Sequence, residues 1–97
     1  GTVTSNDAAV VVDAETGSVR GCDVAFIRWE SLPDRTLPTG AFRTPPELVV
    51  EVLSPTDLWS KVELKLSDYF RAGVAEVWVV SIEERAVWIC RRDQTRI

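Results

Sequence analysis

Glu47-Leu48-Val49-Val50-Glu51-Val52-Leu53, followed at once by Ser54-Pro55-Thr56-Asp57, is the stretch on which the fold turns. Leu48, Val49, Val50, Val52 and Leu53 are residues that a strand buried on both faces would use. Side chains alternate along a strand, so Val49, Glu51 and Leu53 share one face and Leu48, Val50 and Val52 the other. A slip of register does not easily bring Glu51 to water. A lone buried carboxylate costs several kcal/mol, on the order of the whole stability of a small domain. The sequence therefore requires a compensating group for Glu51: a cation, a lysine or a bound metal.

The elements around this strand follow from local chemistry. Downstream, Ser54 suits a helix cap, Pro55 the first helical position and Asp57 the third residue after the cap, so a helix is expected from there to about Ala72. Leu58, Trp59, Val62, Leu66, Tyr69 and Phe70 fall on one arc of that helix, with Lys61, Lys65, Asp68 and Ala72 on a neighbouring strip. Gly73 is a helix stop. Val74 to Val80 reads as a strand, Ser81 to Arg85 as a turn and Ala86 to Cys90 as a last strand. Upstream, Gly1 to Asp7 is polar and without period and reads as a tail or the end of an earlier element. Ala8 to Val12 reads as a strand, Asp13 to Gly17 as a turn, and Ser18 to Trp29 contains a second strand, strongest over Asp23 to Ile27. Glu30 to Pro46 carries Pro33, Pro38, Gly40, Pro45 and Pro46 and reads as a surface connection. The order is β-β-β-α-β-β. The expected fold is α/β: a mixed sheet with a parallel crossover around the helix and a helix on at least one face.

Length and composition narrow the function. At 97 residues the chain is a single domain, 1–97, with a modest core. Its net charge of −4 argues against gripping nucleic acid by charge alone. Arg85, Arg91, Arg92 and Arg96 still gather near the C-terminus as a local basic patch. The absence of histidine removes Ser-His-Asp and Cys-His nucleophile systems, His-ligated zinc and any nuclease with a histidine base. Cys22 and Cys90 have no CxxC spacing and read as reduced, buried thiols of a cytoplasmic protein. No stretch is long and apolar enough for a membrane span, and no signal peptide is visible. The sequence lacks methionine, and it reads as a fragment of a longer product.

Three residues could carry chemistry together. Asp23 stands at the start of an apolar strand, on the face of Ala25 and Ile27; taken alone it is an ordinary strand-entry residue. Paired strands lie ~4.8 Å apart. If the Asp23 strand pairs with the Glu51 strand, the two carboxylates can share one Mg²⁺, whose oxygen ligands lie at ~2.1 Å. Lys65, at the border of the helix's buried face, can reach toward the Glu51 strand, neutralise a carboxylate, orient a water or steady a phosphate. Lys61, one turn earlier, competes for that role; Lys65 lies closer to the apolar arc. Singly, each lysine reads as an exposed helix residue. Asp57 reads as a cap, Asp68 and Glu63 as surface charges, and Trp59, Trp78 and Trp88 as core or interface.

The segments Val19 to Ile27, Pro46 to Asp57 and Lys65 to Val80 together resemble the Uma-two (Uma2) family of restriction endonucleases, in the PD-(D/E)XK nuclease superfamily. The likeness runs from about Val10 to Trp88. It rests on the aspartate strand, the Glu-Val-Leu-Ser-Pro segment and the Lys-x-x-x-Tyr-x-x-x-Gly-Val-x-Glu-x-Trp passage, in that order and spacing. The resemblance implies a restriction-endonuclease-like core and hydrolysis of phosphodiesters in nucleic acid, DNA in the first place. It implies Mg²⁺, or Mn²⁺ in its stead, held by Asp23, Glu51 and the Val52 carbonyl. Leu53 occupies the place of the motif's lysine, and Cys22 that of its proline. In this family the lysine comes from the following helix, which is Lys65 here. The resemblance also implies an N-terminal helix and first strands before Gly1, and a shortened domain that leans on a second copy as a homodimer. The competing reading is a non-catalytic dimerisation module in which Lys65 and Glu51 form a structural ion pair. A weaker one is a salt-sensitive nucleic-acid binder using Arg91, Arg92 and Arg96.

Overall fold

β-Branched residues dominate the strands that form the middle of the sheet, and the polar turns between them set their order. The computed structural model describes residues 1–13, 18–32 and 43–92. Strands β1 (Thr2–Asp13), β2 (Ser18–Ile27) and β3 (Leu48–Leu53) are followed by helix α1 (Trp59–Ala72) and by strands β4 (Glu76–Ser81) and β5 (Ala86–Arg91). They build one five-stranded sheet in the order β1-β2-β3-β4-β5. β1 with β2, β2 with β3 and β4 with β5 are antiparallel. β3 and β4 are parallel, with Val49 opposite Val77 and Glu51 opposite Val79. A parallel neighbour needs a crossover, and α1 supplies it.

Helix α1 covers one face of the sheet. Val62, Leu66, Tyr69 and Phe70 are its buried residues, and they pack into a core with Ala25, Ile27, Val49, Val77, Val79 and Cys90. Trp59 meets Trp88 of β5 edge-to-face, with ring centroids 4.9 Å apart. On the opposite face Val3, Val52, Val87 and Ile89 are exposed. Val49, with no exposed surface, and Val50, half-buried, show the difference between the two faces of β3.

Five expectations from sequence need correction. The polar segment Thr2 to Asp7 is strand rather than tail, because Thr2 to Ser5 pair with Val24 to Ile27 across an irregularity between Ser5 and Ala8. Helix α1 begins at Trp59, not at Pro55. Ser54 to Asp57 closes instead as a turn: the Asp57 N–H donates to the Ser54 carbonyl at 3.1 Å, and the Asp57 carboxylate accepts from the Ser54 N–H at 2.7 Å. Asp57 thus satisfies a turn amide and not a helix end, a local bond that competes with helix. Leu58, consequently, precedes the helix and is 59 % exposed rather than part of the buried arc. Finally, the connection after β2 opens with a short 3₁₀ helix at Trp29–Ser31. Glu47 holds that segment, accepting from the Arg28 N–H at 2.6 Å and from the Ser31 hydroxyl. β4 starts two residues later than expected, at Glu76. Residues 14–17 of the expected turn and most of the proline-rich connection lie outside the described residues.

The helix stops where the sequence says it should. Gly73 follows the last helical residue with φ of 111°, its N–H donates to the Phe70 carbonyl, and the Val74 N–H donates to the Tyr69 carbonyl. This is a Schellman closure, in which two end carbonyls find donors. A Cβ at Gly73 would also stand 3.0 Å from Pro45 Cγ. Replacing Gly73 by Ala should therefore destabilise the fold by about 1–2 kcal/mol, the ordinary cost of a left-handed conformation with a side chain. A urea midpoint unchanged from wild type would contradict this account of the helix end.

Candidate active site

Glu51 lies on the helix-facing side of β3, between Val49 and Leu53, and is 8 % exposed. Its burial is as the sequence demands, and two side chains of α1 answer it. The Tyr69 hydroxyl donates to Glu51 Oε1 at 2.6 Å. Lys65 Nζ stands 3.5 Å from Oε2. Lys65 and Tyr69 are four residues apart, one turn of helix, so they project from one strip toward the strand below. Tyr69 Oη also lies 3.0 Å from the Gly21 carbonyl of β2. A phenol has one proton to give, and the shorter contact, to a charged acceptor, is the stronger.

Asp23 comes from β2. The antiparallel ladder pairs Ala25 with Val49 and Val24 with Val50. Asp23 is the residue of β2 just beyond the last of these pairs, and Glu51 the residue of β3 just beyond it. Asp23 is exposed, and its Oδ2 accepts the Val52 N–H at 2.7 Å. The carboxylate thus replaces a ladder partner where β2 and β3 part. The strand pairing that the sequence left open is present, and Asp23 bonds Val52, the neighbour of Glu51 on β3. Lys65 joins them through Glu51.

A cavity of about 130 Å³ opens beside Glu51 and is lined by Val52, Asp57, Lys61, Lys65 and Tyr69 among others. Lys61 therefore faces the same space, while the direct contact to Glu51 is Lys65's. The Ser54 amide, with lesser help from Lys65 and Lys61, holds the Asp57 carboxyl below its usual range.

Electrostatics follow from burial. Desolvation raises the pKa of Glu51; the Tyr69 hydrogen bond and Lys65 pull it back, and the Asp23 charge adds to the rise. Burial and the adjacent Glu51 push the Tyr69 phenol far up, so it stays a donor. Burial first, then Glu51 and Asp23, push the Cys22 thiol up to about 11. A thiol so held is protonated and inert. Both cysteines are free and buried, as expected.

Some residues do more than the sequence suggested. Asp68, expected as a surface charge, takes both Nε and Nη2 of Arg20 at 2.8 Å and so ties α1 to β2. Tyr69, expected only as core, is the shortest contact of Glu51. The signal was available: a buried tyrosine needs a partner for its hydroxyl, and Tyr69 sits one turn from the lysine. The C-terminal arginines are engaged within the chain, Arg91 with Glu76 at 2.8 Å and Arg92 with the Val74 carbonyl at 3.3 Å. Arg96 lies outside the described residues.

Among the described residues no group of three or more Cys, Asp or Glu side chains gathers to hold a metal. The candidate carboxylates are two, Glu51, which lines the cavity, and Asp23, which is not among its lining residues. That set fits Mg²⁺, which keeps several waters and takes one or two carboxylates.

A family model described as "Uma2: putative restriction endonuclease" matches residues 2–97. The fold is similar to that of a solved protein from Anabaena variabilis described as a putative nuclease belonging to DUF820. The TM-score is 0.66 at 22% sequence identity, over 78% of this chain and 44% of that one. This chain thus matches less than half the length of that protein. No curated protein matches. Among the described residues no helix is long and apolar enough to cross a membrane.

The raised pKa of Glu51 makes stability depend on pH with a definite sign. Between the ordinary carboxylate pKa and the raised one, the folded chain keeps a proton that the unfolded chain has lost. The favourable contribution is complete below the ordinary value and disappears as pH rises through the folded-state value. Glu51→Gln, which cannot ionise, should remove that decline and be the more stable protein at neutral pH. Urea midpoints from about pH 4 to pH 8 measure it. A neutral-pH loss of stability in Glu51→Gln would instead mark Lys65 and Glu51 as a stabilising ion pair.

Proposed function

The chain belongs to the Uma2 family of putative restriction endonucleases, and from that membership we propose a metal-dependent endonuclease that hydrolyses phosphodiester bonds in DNA. One observation carries this reading: Asp23, one residue beyond the last β2–β3 pair, accepts the N–H of Val52 beside a buried Glu51, and Lys65 reaches Glu51 from the helix above. A carboxylate kept in the core at a cost to stability, beside an open cavity, is what a cation site requires.

In this reading Asp23, Glu51 and the Val52 carbonyl would hold Mg²⁺, with Mn²⁺ as a substitute. A metal bound there supplies Lewis-acid polarisation and a water of lowered pKa for in-line attack. The chain's own groups do the rest. Asp23 is fixed by the Val52 N–H, and Glu51 by the Tyr69 hydroxyl. Lys65 is 38 % exposed and loosely held at 3.5 Å, so its ammonium can leave Glu51 and meet the charge developing on the phosphate. Lys61, on the same cavity wall, offsets Asp57 where the phosphate backbone would approach an otherwise acidic protein.

The same reading places the protein in the cytoplasm and makes it a homodimer. Support for the dimer comes from Val52, Val87 and Ile89, exposed apolar residues on the sheet face that α1 leaves bare.

Supercoiled-plasmid nicking with Mg²⁺ or Mn²⁺ tests the proposal. Chelation should abolish cleavage, and Glu51→Ala, Asp23→Ala and Lys65→Ala should each lower its rate by roughly 10²-fold or more with circular dichroism unchanged. Cleavage that survives both Asp23→Ala and Glu51→Ala would remove these residues from the mechanism.

A further inference from the structure

The two oxygens of Glu51 are not equivalent. Oε1 accepts a 2.6 Å hydrogen bond from Tyr69, the length of a charge-assisted O–H···O⁻ contact. Oε2 faces Lys65 at 3.5 Å, with the cavity beside it. The two partners also differ in freedom. Lys65 is a partly exposed side chain on a long stem, able to swing away. Tyr69 has no exposed surface, packs in the core with Leu66, Val49 and Val79, and approaches the Gly21 carbonyl at 3.0 Å. Its backbone carbonyl, moreover, accepts the Val74 N–H in the closure of the helix. A cation can displace the ammonium from Oε2. It cannot displace the phenol from Oε1 without opening the core.

We infer that Tyr69 is a positioning residue that makes Glu51 a one-oxygen ligand and so biases the site toward Mg²⁺ and against Ca²⁺. The inference rests on the metal-site reading of the proposed function and adds a determinant of metal choice to it. The chemistry is that of the two cations. Mg²⁺ demands octahedral geometry at about 2.1 Å, and single carboxylate oxygens with retained waters satisfy it. Ca²⁺ takes six to eight oxygens at longer range, and a two-oxygen carboxylate is a common way to reach that number. Oε1, held by the phenol, is withheld from the second arrangement. Freed from the phenol, Glu51 can rotate and present both oxygens.

Displacement of Mn²⁺ by Mg²⁺ and by Ca²⁺, followed by electron paramagnetic resonance, reads the preference without any cleavage assay. Tyr69→Phe should shift the Mg²⁺-to-Ca²⁺ affinity ratio toward Ca²⁺ by roughly tenfold, the ordinary effect of removing a hydrogen-bond partner of a metal ligand. If wild type binds Mn²⁺ and Tyr69→Phe leaves the ratio unchanged, the inference is overturned while the metal site stands. Wild-type protein that binds no Mn²⁺ overturns the metal reading, and this inference with it. Should Tyr69→Phe fail to fold, infrared difference spectra of the wild-type chain decide, with the Glu51 bands identified by Glu51→Gln. Loading with Mg²⁺ or Ca²⁺ should widen the separation of the two carboxylate stretches, as one-oxygen coordination does. A narrowed separation, the mark of two-oxygen coordination, would overturn the inference.

Discussion

One acidic side chain sits where a valine would be expected, and the surrounding structure accommodates it. Glu51 occupies the helix-facing side of a central strand whose neighbours on that face are Val49 and Val79. Desolvating a carboxylate is among the largest local penalties that a domain this small can absorb. The chain offsets it with a phenol and an ammonium from the same strip of helix α1. Neither partner neutralises it fully. The phenol is uncharged, and the ammonium is too far for a tight pair. On the proposed reading, that incomplete compensation leaves room for a stronger positive charge.

The topology explains why these groups meet. A parallel β3–β4 pair requires a crossover, so α1 must lie over the strand that carries Glu51. The antiparallel β2 then sets Asp23 at the end of the same strand. Arg20 and Asp68 clamp the helix to β2, and the glycine closure at Gly73 fixes where the helix lets go. Around the site, then, fold and function make the same demand: the helix has to be held above β2 and β3 in one position.

Much of this was legible in the sequence. The valine-rich strand, its alternation, the Lys65 strip and the Gly73 stop are all local patterns, and each is present. What was not legible depended on competition between local bonds. Ser54, Pro55 and Asp57 have the residue types of a helix start, yet Asp57 bonds the Ser54 amide within a turn and delays the helix to Trp59. Polarity made Thr2 to Asp7 look irregular, but a sheet partner overrides composition where Thr2 to Ser5 find ladder partners in Val24 to Ile27. Asp68 and Tyr69 were underestimated because their partners, Arg20 and Glu51, are distant in sequence. Pairing across a fold cannot be read from spacing along one element. The Asp23 and Glu51 register belongs to the same class, since sequence showed that the two strands exist but not that they are neighbours.

The central claim is that Glu51 and Asp23 form a cation site and not an internal charge pair. Amide spectra of the isotopically labelled protein, recorded during a titration with Mn²⁺, locate any bound cation by the signals it broadens. The account predicts that Asp23, Val52 and the Lys65–Tyr69 turn of the helix lose their signals first, and that Glu51→Gln restores them. Broadening centred on Glu83 and Glu84 in the β4–β5 turn, or spectra indifferent to the cation, would contradict it.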